Sequence, residues 1–331
     1  MKTPRRSLIG KYLGLIALAA IAVASAAAQE DPSKYPTRPI HIIVGFTAGG
    51  GNDIIARIFG QKLSESLGQP VIIENKPGGG AIVATEYVAK SAPDGYTLLV
   101  NSPAVAINMA LYKDLPYDTL RDFAAVSIFS ESPNILVVNV SSPAKSVNEL
   151  IALARSKPGV LNYSSAGTGT TQNLAGELFK LRTGTNIVHV PYKGTAPSLT
   201  ALIAGDVDLT FANVPAIIQH VKSGRLRPLA STGARRSELM PDVPTMQEAG
   251  SKGVEVTVWY AVLAPAATPR DIINTLSEAT IKATRSPDIR QRLLDQGAEP
   301  VGSTSAEFDK VLREEVAKWT DVIRASGIRA E

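Results

Sequence analysis

The chain has 331 residues, room for two domains of ordinary size, and its 44% apolar and 19% charged side chains fit a packed globular protein rather than a disordered one. It has no cysteine, which excludes disulfides, thiolate-held zinc, iron–sulfur clusters, a thiol nucleophile and a lipidated N-terminal cysteine. The formal charge of +4 comes from Lys2, Arg5, Arg6 and Lys11 in an acid-free start, so the rest is formally neutral and lacks the basic footprint of a nucleic-acid binder.

Residues 1–28 read as an address. The basic start precedes an apolar run from Tyr12 to about Val23, and small residues end at Ala26-Ala27-Ala28. This is the pattern of a secretory signal peptide, cleaved near Ala28. The alternative is a membrane anchor, but about a dozen apolar residues are short for a span, which needs roughly 20. Arg5-Arg6 also fits a twin-arginine signal, so the sequence leaves the export route open. Either route places the mature protein outside the cytoplasm, in the periplasm.

Short β-rich runs then alternate with amphipathic helical patterns. A strand over Ile40–Phe46 breaks at Gly49-Gly50-Gly51, and Ile54, Ile55, Ile58, Phe59, Leu63 and Leu67 follow at helical spacing. Val71–Ile73 reads as a strand, Pro77-Gly78-Gly79-Gly80 as a tight loop, residues 81–90 as a helix and Tyr96–Asn101 as a strand. This order argues for a parallel sheet with right-handed crossovers. The middle repeats the grammar. Strands are expected at Ile135–Asn139, Leu161–Ser165, Ile187–Pro191, Asp208–Val214 and Leu226–Ser231. Helices lie between them, one opened by the capping box Ser146–Glu149 and one with Leu174, Leu178 and Leu181 inward. A long strand, Val254–Leu263, carries Trp259 and Tyr260 back between the halves. Three helices close the chain, with caps expected at Thr268, Ser286 and Thr304. The inward stripe of the last is Phe308, Val311, Leu312, Trp319, Val322 and Ile323.

Two loops stand out, Thr47–Asp53 and Ala166–Thr171. Each leaves a strand and opens a helix. Glycine lets backbone N–H groups approach a ligand, and a helix start offers unpaired donors and partial positive charge. Such loops cradle an anion without a charged side chain, or merely turn a strand into a helix. Hydroxyls of Thr168, Thr170 and Thr171 add donors. Neither loop has the spacing of a nucleotide-phosphate loop. Asn52 and Asp53 sit where a helix cap belongs. There is no nucleophile elbow, and His41, His189 and His220 are isolated, two of them in strands where a structural role is expected. Lys193 is expected in solvent. No catalytic residue, metal site or cofactor is expected.

Several motifs together resemble the tripartite tricarboxylate transporter receptors, the Bug solute-binding proteins. These are Pro39–Gly50 continuing to Asp53-Ile54-Ile55-Ala56-Arg57, Gly68–Gly78, Ala92–Leu99, Leu115–Asp118 with Asp122-Phe123, Val190–Gly194 and Asp242–Thr245. The resemblance covers residues 36–328. It implies an α/β bilobal periplasmic binding protein of type II-like architecture. One lobe would comprise 30–131 plus 256–331 and the other 132–255, with a ligand carboxylate held on both glycine loops, partly through ordered water. By position it implies binding roles for Phe46, Thr47, Ala48, Gly49, Gly50, Asp53, Ser165, Gly167, Gly169, Thr170 and Thr171. Asn101, Ser102, Tyr192, Asn213 and Trp259 are expected to face the remainder of the ligand. Asn173 and Val105 stand where the family commonly has histidine, which bears on specificity. The expected function is capture of a small organic carboxylate by a monomer that docks on membrane permease subunits. Sensing for a membrane signalling protein and a secreted enzyme are the other classes.

Overall fold

The computed structural model describes residues 34–326 and 328–329. The signal-peptide reading lies outside them. Among the described residues, no helix is long and apolar enough to cross a membrane.

The first lobe opens with β1 (Ile40–Val44), α1 (Gly51–Leu67), β2 (Val71–Asn75), a 3-10 turn (Gly79–Ala81), α2 (Ile82–Ala89), β3 (Thr97–Asn101), α3 (Ala104–Leu111) and α4 (Thr119–Asp122). As the crossover argument requires, β1 pairs in parallel with both β2 and β3. One strand, β4 (Phe123–Asn139), then runs through both lobes. The second lobe holds α5 (Val147–Ser156), β5 (Asn162–Ser165), α6 (Thr171–Thr183), β6 (Val188–Pro191), α7 (Thr195–Ala204), β7 (Leu209–Asn213), α8 (Val214–Lys222) and β8 (Leu226–Ser231). Here β5 pairs in parallel with β6 and β7. The chain returns through β9 (Thr257–Pro265) and ends with α9 (Arg270–Arg285), α10 (Pro287–Asp295), β10 (Glu299–Pro300) and α11 (Ser305–Ser326).

The sheet order is β2-β1-β3-β9-β4-β7-β5-β6, with β8 and β10 also on β4. The first part of β4 pairs antiparallel with β9 as far as Pro133↔Thr257. From Asn134↔Asn213 onward it pairs with β7. This change of partner within one strand joins the lobes. One face of the first lobe's sheet buries Ile42, Val44, Leu98, Val100, Tyr260 and Phe129 against Phe59 and Leu276. The α11 stripe packs as its periodicity requires, with Phe308, Leu312, Trp319 and Ile323 buried and Val311 and Val322 beside them.

Several expectations need correction. Only the last residues of β4 read as strand, and α3 was not anticipated. Leu181 is 51% exposed, because the buried face of α6 centres on Ala175 and Phe179 and leaves Leu181 at its edge in the last turn. Thr268 does not cap α9: Pro269 is the N-cap and the Thr268 hydroxyl is buried without a partner. Ser286 precedes α10, but its hydroxyl donates to the Ala283 carbonyl of the previous helix at 2.6 Å. Ser146 and Thr304 cap as expected, accepting from Glu149 and Glu307 N–H.

Candidate functional site

The first glycine loop is held by Asp53, in the first turn of α1. Its carboxylate accepts from the Gly49 N–H at 2.9 Å and from Asn75 Nδ2 at 2.9 Å, and it pairs with Arg57 at 2.9 Å. Asn75 also donates to the Phe46 carbonyl at 2.9 Å, fastening the exit of β1 to the end of β2. Burial opposes ionisation of Asp53, yet the bonds from Arg57, Gly49 and Asn75 outweigh it and hold its pKa below the ordinary carboxylate value. Both oxygens are thus committed to the protein, so Asp53 shapes the loop.

The second loop is held by hydroxyl, amide and imidazole side chains. Ser165 Oγ accepts from the Gly167 N–H at 3.1 Å and meets His189 Nε2 at 2.7 Å. His189 stacks on Tyr163 with ring centres 4.8 Å apart, the structural role expected of it. Thr170 caps α6 through Asn173 N–H and donates to the Gly167 carbonyl at 2.7 Å. Asn173 Oδ1 accepts from the Gly169 N–H at 3.2 Å.

Each loop packs against the other lobe across a closed seam, and glycine makes the approach possible. A β-carbon on Gly80 would stand 2.2 Å from the Thr168 carbonyl oxygen. One on Gly194 would stand 2.2 Å from Thr47 Oγ1, and one on Gly51 2.2 Å from Asn213 Oδ1. One on Gly50 would reach 3.6 Å from the Thr195 β-carbon. Phe46, Ala81 and Ala104 from the first lobe close over Ala166 from the second in one small apolar cluster.

Four helices therefore start at this seam: α1, α6, α7 and α8. The first-turn N–H groups of a helix have no partner within it, and a buried start without a cap leaves donors for a ligand. Thr170 caps α6, whereas α1, α7 and α8 have no side-chain cap at Gly50, Gly194 or Asn213. Buried oxygens of Thr47, Asn52, Gln172 and Asn213 have no protein partner. Lys193 is exposed, as expected. The arrangement can hold an anion on backbone dipoles and neutral polar side chains.

Ala48 and Gly49 are exposed on the outer side of the first loop, and Gly50 is buried. Asn101 and Ser102 are buried at the end of β3, where Asn101 Oδ1 accepts from Ser102 N–H at 2.8 Å and Nδ2 donates to Thr85. Tyr192 is half-buried, and its N–H donates to the Ser165 carbonyl at 3.1 Å, beside the second loop. Thr171 is buried at the start of α6. Trp259 packs edge-on against Phe308, ring centres 5.4 Å apart, in the core. Sequence reasoning missed Gly80, Gln172 and Thr195. The signal for Gly80 and Thr195 was the same glycine-before-helix pattern, at Gly78–Gly80 and Gly194, that marked the two chosen loops; Gln172 directly follows the second of those loops, in the first turn of α6.

A cavity of about 440 Å³ beside the hinge shares no residue with this seam; Glu131, Arg235, Leu239, Gln291 and Glu299 are among its walls.

The model of the tripartite tricarboxylate transporter family receptor matches residues 55–328. BugT of Bordetella pertussis is 38% identical over 311 residues, 93% of this chain and 95% of that protein. The solved periplasmic binding protein BugD superposes with a TM-score of 0.87 at 29% identity, covering 90% of this chain and 100% of that one. An R. palustris protein solved with adipate gives a TM-score of 0.86 at 38% identity, covering 89% of this chain and 99% of that one.

Proposed function

Because the chain belongs to the tripartite tricarboxylate transporter receptor family, we propose that it is a solute-binding receptor that closes two α/β lobes on a small organic carboxylate and delivers it to a membrane permease. The observation that carries this reading is the meeting of uncapped, buried helix starts from both lobes at one glycine-lined seam. Each start offers N–H donors and roughly half a positive charge, and closure removes the water that would compete for the ligand. The adipate held by the R. palustris relative supports an organic acid as the ligand class.

On this reading the ligand's carboxylate is bound by the backbone of residues 46–51 and 167–171. Phe46 and Tyr192 wall the site, and Asp53, Ser165 and Thr170 position the loops. Asn101, Ser102 and Asn213 border the remainder of the ligand. Trp259 contributes through the packing behind the hinge. The lobes divide at 131/132 and 255/256, next to the point where β4 changes partners. The receptor acts as a monomer in the periplasm, with its leader removed near Ala28, and releases its ligand chemically unchanged.

The test is thermal melting of the chain from residue 29, stripped of bound ligand by unfolding and refolding, against dicarboxylic, tricarboxylic, amino and aromatic acids and their amides. A ligand at about 100 times its dissociation constant stabilises by roughly 2.7 kcal/mol, a shift of several degrees. A shift with an acid and none with its amide supports the reading. A folded protein that responds to no acid contradicts it.

A further inference from the structure

The cavity beside the hinge is built by both lobes. Its floor is Glu131, Ser132 and Pro133 of β4 with Thr257 of β9, at the point where β4 changes partner. One wall is the loop 233–239 that follows β8, and the other is the end of α10 with the turn into β10. At about 440 Å³ it has the size of a small-molecule site. Gly297, in the first-lobe wall, packs so closely on the second lobe that a β-carbon there would stand 2.3 Å from Val214 Cγ1. Val214 directly follows Asn213, which lies over Gly51 in the seam. The shape of the cavity and the closure of the seam are therefore tied through two adjacent residues.

Two acceptors in this cavity have nothing to accept from. The Glu131 carboxylate is part-buried and makes no hydrogen bond or ion pair among the described residues. Burial and the Glu299 charge both disfavour its ionised form, with Arg235 opposing. The cations at hand are committed elsewhere: Arg235 pairs with Glu299, and Arg236 with Glu248 at 2.8 Å. Ser237 is 8% exposed and lines the cavity, and its hydroxyl has no hydrogen-bond partner among the described residues. A carboxylate and a hydroxyl oxygen both accept from an ammonium, which has only donors. Leu239, Leu294 and Pro133 supply apolar wall for a short alkyl body. Among the described residues no three His, Cys, Asp or Glu side chains gather to hold a metal ion, and that apolar wall suits an organic cation.

We propose that the hinge cavity binds a small alkylammonium ion, with its charged end on Glu131 and Ser237 and its alkyl body against Leu239 and Leu294. The site lies outside the carboxylate cleft and goes beyond the receptor reading. Because both lobes build its walls, an occupied cavity favours the closed lobes and tightens the hold on the acid. The acid then tightens the hold on the amine by the same factor.

The test is thermal melting of the stripped protein, without acid, in n-butylammonium chloride, with n-butanol and sodium chloride at equal concentration as controls. Butylammonium at saturation is expected to raise the melting midpoint by about 2 °C and the controls to leave it unchanged. Glu131→Gln, shown to be folded by circular dichroism, is expected to lose the shift, and Ser237→Ala to reduce it. No shift in the wild type, a shift that butanol or sodium chloride reproduces, or a shift that E131Q keeps in full overturns the site. Calorimetric titration with the acid that stabilises the protein most, with and without saturating butylammonium, is expected to show the acid bound about threefold more tightly with the amine present. An acid affinity that the amine leaves unchanged or lowers overturns the coupling to closure. A butylammonium shift that E131Q abolishes, in a protein that binds no acid, supports the amine site and overturns the receptor reading alone.

Discussion

Gly80 and Thr168 meet backbone to backbone across the seam: a β-carbon on Gly80 would stand 2.2 Å from the Thr168 carbonyl oxygen. One residue belongs to the turn before α2 and the other to the loop before α6, so the space between the lobes at this point is the absence of one side chain. Gly80→Ala is expected to hold the lobes apart. The left-handed backbone at φ +58 adds a cost of about 1–2 kcal/mol to the free protein. Ligand affinity should fall by more than tenfold, and small-angle scattering of the ligand-saturated variant should show a more extended particle than the wild type. Equal affinity and equal size would refute the contact's role in closure.

Neighbouring glycines on the first loop differ in what they tolerate. A β-carbon on Gly50 would find its closest contact, the Thr47 carbonyl oxygen, at 3.3 Å, whereas one on Gly51 would stand 2.2 Å from Asn213 Oδ1. Gly50→Ala should keep ligand binding within about threefold of the wild type, while Gly51→Ala should lose about tenfold by displacing Asn213, roughly 1.4 kcal/mol. Gly50→Val extends two methyls toward Thr195 and should abolish binding with the fold retained. Titration of the three variants, with circular dichroism as the fold control, checks the order.

Asp53 ties acid stability to the first loop. Its carboxyl is held below its ordinary pKa by Arg57, Gly49 and Asn75 against the opposing effect of burial. A depressed acid contributes stability above its unfolded pKa, and that contribution is lost as pH falls through the folded one. Asp53→Asn should therefore cost about 1 kcal/mol at pH 7, with Arg57 half in solvent, and the gap to the wild type should shrink below about pH 4. Melting curves at both pH values measure it. A gap that does not change with pH would contradict the assignment.

Glu131 behaves in the opposite sense. It lies opposite Glu299 in the β4–β10 ladder, and its pKa is raised by burial and by the Glu299 charge, with Arg235 opposing. A raised acid costs stability once pH passes its unfolded pKa, and the cost is complete above the folded one. Glu131→Gln should raise the melting midpoint at pH 7 by about 1–2 °C, within the range of a small surface or hinge effect, and should change nothing at pH 4. A lower midpoint at pH 7 would overturn the argument.

Much of this was legible in the sequence because local rules carried it. Ile40–Val44 and Thr97–Asn101 are β-branched and apolar, and both glycine loops follow strands and precede helices. Of the long strand β4 only Ile135–Asn139 carries a strand pattern in the sequence, because Ser127, Ser130, Ser132, Pro133 and Asn134 interrupt its apolar run. Three of those serines donate to the carbonyls of Ser303, Glu299 and Gly297, far along the chain, which satisfies them in a buried strand. Trp259 was placed toward the ligand because β9 crosses between the lobes. Its side chain instead faces Phe308 on the other side of that strand pair from Tyr260. The seam itself was invisible: Gly80 against Thr168, Gly194 against Thr47 and Gly51 against Asn213 join residues whose proximity only the closed lobes create.

The most direct measurement is isothermal titration of the stripped protein with the acid that stabilises it most, beside the uncharged diamide of the same carbon skeleton. The account predicts one acid bound per chain and no detectable heat from the diamide, because the seam offers helix-start donors for negative charge. Equal binding of acid and diamide, or no binding of any acid by the folded protein, would contradict it.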